Sequence, residues 1–144
     1  MKKLWLILFG FIPLGIGLIM NWLITTFPNT GPPYRLISIA FLLFWAWLGF
    51  ITSRFKEPLK VCICLINLPT FLALALNLYQ EIVLGHYFSS ILGKCTQFFY
   101  LPILSISFTL TPWSTRLWTA YIAGFLLMCL VFFGGCAVKN HRKK

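Results

Sequence analysis

Long apolar runs along the chain are separated by short links of polar, basic or helix-breaking residues. The runs cover Leu4 to Phe27, about Leu36 to Ser53, Val61 to Gln80, and about Leu117 to Val138. At about 1.5 Å of rise per helical residue, each is close to the length that crosses roughly 30 Å of hydrocarbon. A spanning segment must satisfy its backbone N–H and C=O groups internally, so such runs read as helices. Breakers crowd the first link, Pro28-Asn29-Thr30-Gly31-Pro32-Pro33, and permit a tight turn. The second link, Arg54 to Lys60, carries three basic residues and Glu57. This pattern predicts an all-α integral membrane protein, a four-transmembrane-helix bundle forming a single domain over residues 1–144.

The stretch between Gln80 and Leu117 is too apolar for an ordinary loop. In its first half, His86, Ser89, Ser90, Gly93, Lys94 and Gln97 recur at three- and four-residue spacing. Val83, Leu84, Tyr87, Phe88, Ile91, Leu92, Cys95, Phe98 and Phe99 fill the other side. That period predicts an amphipathic helix over about residues 82–99, lying at the outer interface with Lys94 reaching to water. After Pro102, Ser105, Ser107, Thr109 and Thr111 alternate with apolar residues, which fits an irregular, extended segment or another short helix. Exposed open backbone is forbidden in hydrocarbon, so an extended segment would need protein cover, a polar cavity or the interface.

Charge adds orientation to this scheme. The net charge is +10, yet the basic residues gather at the ends of apolar runs: Lys2 and Lys3, then Arg54, Lys56 and Lys60, then Lys139, Arg142, Lys143 and Lys144. Lys and Arg are retained on the cytoplasmic side, so both termini and the second link are expected inside. An odd number of crossings would put the basic tail outside, against that rule. The same distribution argues against nucleic acid as a partner and for anionic lipid contact. With 60% hydrophobic and 10% charged residues, water is not the main solvent. The first run is longer than a signal-peptide core and lacks a small-x-small cleavage site, so it is expected to remain as a helix. Trp5, Trp22, Trp113 and Trp118 fall near helix ends, where indole prefers the headgroup region, whereas Trp45 and Trp47 are expected to pack against neighbours.

Candidate chemistry is sparse. At about 100° per residue, Asn67, Thr70, Asn77 and Glu81 share an arc of roughly 80° on the third span, next to the helix breaker Pro69. They read as interhelical hydrogen-bonding groups or as a polar path from the outer surface to mid-membrane. His86, Lys94 and Gln97 form a candidate outer-face polar cluster that Glu81 could join, the minimum for proton handling or a weak metal site. Small residues line the other helices: Gly10, Pro13, Gly17 and Asn21 on the first, Ser38, Ala46, Gly49 and Ser53 on the second, Ala120, Gly124 and Gly135 on the fourth. These stripes predict close helix packing, and Pro13 predicts a kink. Five cysteines, Cys62, Cys64, Cys95, Cys129 and Cys136, form neither a redox C-x-x-C nor a zinc set, and read as structural thiols. No metal and no cofactor is expected.

Two four-span families fail at the residues that matter. Small multidrug transporters need a buried acid in the first helix, where this chain has Asn21, and quinone-linked disulfide-forming enzymes need paired outer cysteines, where it has Cys95. The expected role is therefore an accessory, regulatory or self-protection protein acting by protein or lipid contacts, with the bilayer, a membrane-protein partner or a second copy as its partners. The alternative is a small oligomeric transporter or channel using the polar face of the third span. An enzyme is disfavoured for want of a nucleophile and base. The basic start and the absence of any Asn-x-Ser/Thr acceptor point to a bacterial plasma membrane.

Overall fold

Proline and glycine set where the apolar runs start, bend and stop. In the computed structural model, which describes residues 2–28, 31–53, 58–86 and 90–141, every regular element is a helix. The first run forms α1 (Lys2–Phe9) and α2 (Ile12–Thr26), interrupted at Gly10 and Phe11. Pro13 explains the break, because it supplies no N–H and its ring crowds the carbonyl four residues earlier, that of Phe9. Helix α3 (Tyr34–Thr52) follows Pro32-Pro33, and α4 (Leu59–Leu78) follows Pro58. Helix α4 continues as a wider, π-helical turn over Tyr79–Leu84 and ends at Gly85. There φ is +68°, a left-handed conformation that glycine adopts without steric cost, and His86 N–H closes on Gln80 O at 3.2 Å. The last helix, α7, covers Leu117–His141.

Four helical stretches, Lys3–Thr26, Tyr34–Thr52, Leu59–Leu84 and Leu117–Val138, are long and apolar enough to cross a membrane. Short links make the first three run up, down and up. Helix α7 runs against α4, since Phe71 pairs with Phe125 while Cys64, one end further, shares a groove with Cys129. The start of α1 and the end of α7 therefore lie at the same end of the bundle.

Small residues form the contacts that fix this arrangement. A Cβ on Gly49 would sit 2.5 Å from Phe132 O, and one on Gly135 would collide with Ala46 O, so α3 and α7 touch backbone to backbone. Gly10 meets Ile66 O and the Pro69 ring in the same way, joining the first stretch to α4. The stripes read from the sequence are these seams. Trp45, Ile66, Met128 and Phe132 fill the core between them without solvent exposure. Trp45 packs as expected, but Trp47 is turned outward and 56% exposed.

The region between α4 and α7 departs from expectation. Instead of one helix over 82–99, residues up to Leu84 extend α4, and a separate helix α5 covers Ile91–Phe98; Tyr87, Phe88 and Ser89 lie outside the described residues. After a turn at Phe99–Ile103, α6 (Leu104–Leu110) returns. The two short helices make a hairpin that enters the bundle lengthwise and reaches its middle. At the tip, Tyr100 and Ile103 have no exposure, and Tyr100 O–H donates to the carbonyl of Thr70, near the midpoint of Leu59–Leu84. The ring of Phe99 lies 5.9 Å from that of Phe11, at the α1–α2 break.

The single helix expected over 82–99 is thus corrected, and of the two alternatives after Pro102 the structure has the short helix. Gly93 and Thr96 of α5 are buried against the bundle while Ile91 and Leu92 are exposed, the reverse of an apolar face docked inward. A small, polar inner face suits a slot lined by the polar face of α4. The alternation after Pro102 is helical, and three of its four hydroxyls bond back to the carbonyl four residues earlier. Ser107 Oγ donates to Ile103 O at 3.1 Å, Thr109 Oγ1 to Ser105 O at 2.9 Å and Thr111 Oγ1 to Ser107 O at 3.0 Å, so a helix serves these side chains without an extended neighbour.

Candidate functional site

The polar face of α4 is the place where sequence and structure meet most closely. Asn67, Thr70 and Asn77 are buried, and Glu81 is half-buried in the π-helical turn. Three of the groups on this face meet the inserted hairpin. Asn77 Nδ2 donates to Thr96 O at 3.0 Å, Gln80 Nε2 reaches Thr96 Oγ1 at 3.5 Å and Leu76 O at 3.2 Å, and Thr70 O receives the Tyr100 hydroxyl at 2.7 Å. Thr96 Oγ1 in turn donates to Gly93 O at 2.8 Å, which holds the chain of bonds together. Asn67 behaves differently, because its Nδ2 donates to Ile63 O within its own helix at 2.9 Å.

Gln80, Thr96 and Tyr100 belong to this seam but carry no signal of their own in the reading above. Gln80 stands three residues after Asn77, on the same helical face, and was hidden by a span boundary drawn through it. Tyr100 reads as one more apolar residue until its hydroxyl is seen to face a carbonyl. Buried side-chain oxygens remain along the face: among the described residues, Asn67 Oδ1, Thr70 Oγ1 and Asn77 Oδ1 have no hydrogen-bond partner. Each buried orphan of this kind costs about 1–3 kcal/mol relative to a satisfied group.

Helix–helix contact also shapes the seam's other walls. Gly17 of α2 abuts the carbonyl of Phe98, and Gly124 of α7 brings its backbone close to Ser107 Oγ, 2.7 Å from where a Cβ would stand. Ser107 Oγ itself donates to Ile103 O at 3.1 Å. Tyr121 of α7 packs on Tyr100 with ring centres 5.2 Å apart. The hairpin is thus gripped by α2, α4 and α7, with apolar rings at its tip and amide or hydroxyl groups along its side.

The expected outer cluster is placed loosely. His86 and Lys94 are exposed and Gln97 is half-buried; His86 Nδ1 lies 2.9 Å from Leu84 O, so it donates there when that nitrogen carries the proton. Glu81 instead lines a pocket of about 270 Å³ with Ile82, Arg116 and Trp118, at the end of α4 and the start of α7. On the bundle's flank, Ile63, Asn67, Phe71, Phe125 and Cys129 border an apolar groove of about 310 Å³ between α4 and α7.

None of the five cysteines is in a disulfide; Cys62 and Cys136 are buried, Cys64 is exposed, and Cys136 S–H donates to Gly49 O at 3.1 Å. Among the described residues, no three His, Cys, Asp or Glu side chains gather into a metal-binding group. The chain matches no known protein family, and no curated protein or solved structure is significantly similar to it.

Proposed function

We propose that this protein is a small multi-pass membrane protein acting through contacts with a membrane-protein partner, as an accessory, regulatory or self-protection protein. The observation that carries this reading is the destination of the polar groups on α4. Asn77, Gln80 and the Thr70 carbonyl bond to the hairpin, which occupies the space that a conducting path along that face would need. The outward surface is meanwhile rich in large apolar side chains, including Leu43, Ile19 and Leu130, suited to lipid or to another helix. The basic clusters favour cytoplasmic termini in a bacterial plasma membrane, with the hairpin entering from the outer side. In that setting α5 and α6 form a re-entrant element whose backbone is covered by protein, as hydrocarbon requires.

A second reading, a small oligomeric transporter or channel, draws support from buried oxygens of Asn67, Thr70 and Asn77 that lack a partner among the described residues and lie along one face of α4. Polar groups of this kind mark ion and substrate paths in other membrane proteins.

Proteoliposomes separate the two. The contact reading expects the purified full-length protein to pass no protons, alkali cations or small organic cations above empty vesicles. It also expects Asn77→Leu and Asn67→Leu to alter stability or assembly alone. A flux above background that Asn67→Leu abolishes at unchanged protein abundance would establish the transport reading and sink the first.

A further inference from the structure

Two thiols from helices far apart in the sequence share the groove on the bundle's flank. Cys64 of α4 and Cys129 of α7 both line its volume of about 310 Å³, and their sulfurs are near enough for charge on one to act on the other. Helical period sets each of them there. On α4, Cys64 shares its face with Leu68 and Phe71, and on α7, Cys129 follows Phe125 by one turn. The rings of Phe71 and Phe125 meet beside the thiols, with centres 5.9 Å apart. Cys64, Leu68 and Phe71 are exposed, so the groove is open to the bundle's surface.

Two sulfurs without a further ligand select a particular kind of ion. Among the described residues, no third His, Cys, Asp or Glu joins them. The groove therefore lacks the four donors that zinc takes and the oxygen cage that calcium takes. Soft ions such as Cu(I) choose thiolates, and Cu(I) and Ag(I) are satisfied by two sulfurs in a line. Binding exchanges protons without electron transfer: each S–H gives its proton to solvent and two metal–sulfur bonds form. With a monovalent ion the complex carries one negative charge. Lys60, exposed and one turn before Cys64 on the same face of α4, brings a positive charge to that side of the groove.

We propose that Cys64 and Cys129 form a two-thiolate site for a soft monovalent cation of the Cu(I) type, which bridges α4 and α7 across the groove. The site stands apart from the α4–hairpin seam and does not rest on the contact or the transport reading. The other cysteines stand outside it: Cys62 and Cys136 do not line the groove, and Cys95 belongs to α5.

The test adds Ag(I), which takes the same two-sulfur geometry as Cu(I) and keeps its oxidation state, to the purified full-length protein in detergent, with glutathione as competitor. Native mass spectrometry should show the first ion bound in exchange for two protons, and Zn(II) should not be retained. Cys64→Ser and Cys129→Ser should each weaken Ag(I) binding at least about a hundredfold, the upper range for groups that merely support a metal ligand. Lys60→Gln should weaken it by a smaller factor, and Cys95→Ser should leave it unchanged. A measurement on the unsubstituted protein guards against variants that fail to fold: one equivalent of Ag(I) should protect Cys64 and Cys129 together from a membrane-permeant maleimide, with the labelled peptides located by mass spectrometry. Protection of neither thiol or of one alone, undiminished binding when both carry serine, or equal retention of Zn(II) overturns the proposal.

Discussion

Two interfaces in this molecule are built on opposite principles. The α3–α7 seam is a meeting of backbones: Gly49 lies on Phe132 O, Gly135 on Ala46 O, and the few polar side chains beside them, Cys136 and Thr52, bond to α3 carbonyls. The α4–hairpin seam is a meeting of polar side chains, with Asn77, Gln80, Thr96 and Tyr100 bonding across it. The difference follows from length. Long helices of many turns can gain enough dispersion from close approach alone, because each turn adds contacts. Helices α5 and α6, of eight and seven residues, have too few turns for that and need directional bonds to fix where they stop.

If that contrast is right, substitutions at the two seams should differ in kind as well as size. The largest effect is expected from Gly135→Leu, whose side chain would have to displace the α3 backbone at Ala46. Such overpacking against main chain should cost about 3 kcal/mol or more and prevent recovery of folded protein, measured as the monodisperse fraction after detergent extraction. Gly17→Leu at the hairpin tip should be nearly as harmful to stability. Its distinguishing readout is greater labelling of a cysteine introduced at Ile103, because the hairpin rather than a whole helix is pushed away.

Smaller losses are expected where a single bond is removed. Tyr100→Phe deletes the donor to Thr70 O and leaves the ring in place, so the unfolding free energy in mixed micelles should fall by about 1 kcal/mol. A drop much larger than that would mean that the hairpin relies on the phenol far more than its packing suggests. The smallest effect belongs to Gly15→Ala, since nothing lies within 4 Å of the position a Cβ would take. Its melting temperature should be unchanged or slightly raised, reflecting the better helix propensity of alanine. Equal damage from Gly15→Ala and Gly135→Leu would remove the distinction between seam and surface glycines.

Some of this was legible in the residues. Gly10, Gly17, Gly49, Gly124 and Gly135 all stood in stripes at helical spacing, and each proves to be a point of close approach. Pro13 announced the break between α1 and α2. Asn67, Thr70 and Asn77 could be placed on one inward face because helical period is a local property. Their partners could not be read, since Thr96 and Tyr100 are separated from Asn77 and Thr70 by nineteen and thirty positions. Residues 82–99 were read as one interfacial helix for a related reason. A short helix with glycine and hydroxyl groups on one side presents the same pattern to water at an interface as to a polar helix inside a bundle.

The sequence by itself determined the helical class, the four long apolar stretches and the glycine positions at which they touch. Hydropathy, helix period and the steric demands of Gly and Pro act over a few residues, so composition and spacing suffice to read them. Tertiary structure decided that residues 91–110 fold into a hairpin in the bundle's interior, and that Glu81 shares a pocket with Arg116 rather than with the expected outer cluster. Those outcomes depend on which polar group finds a partner across space, and that choice is made only when the helices have closed around one another.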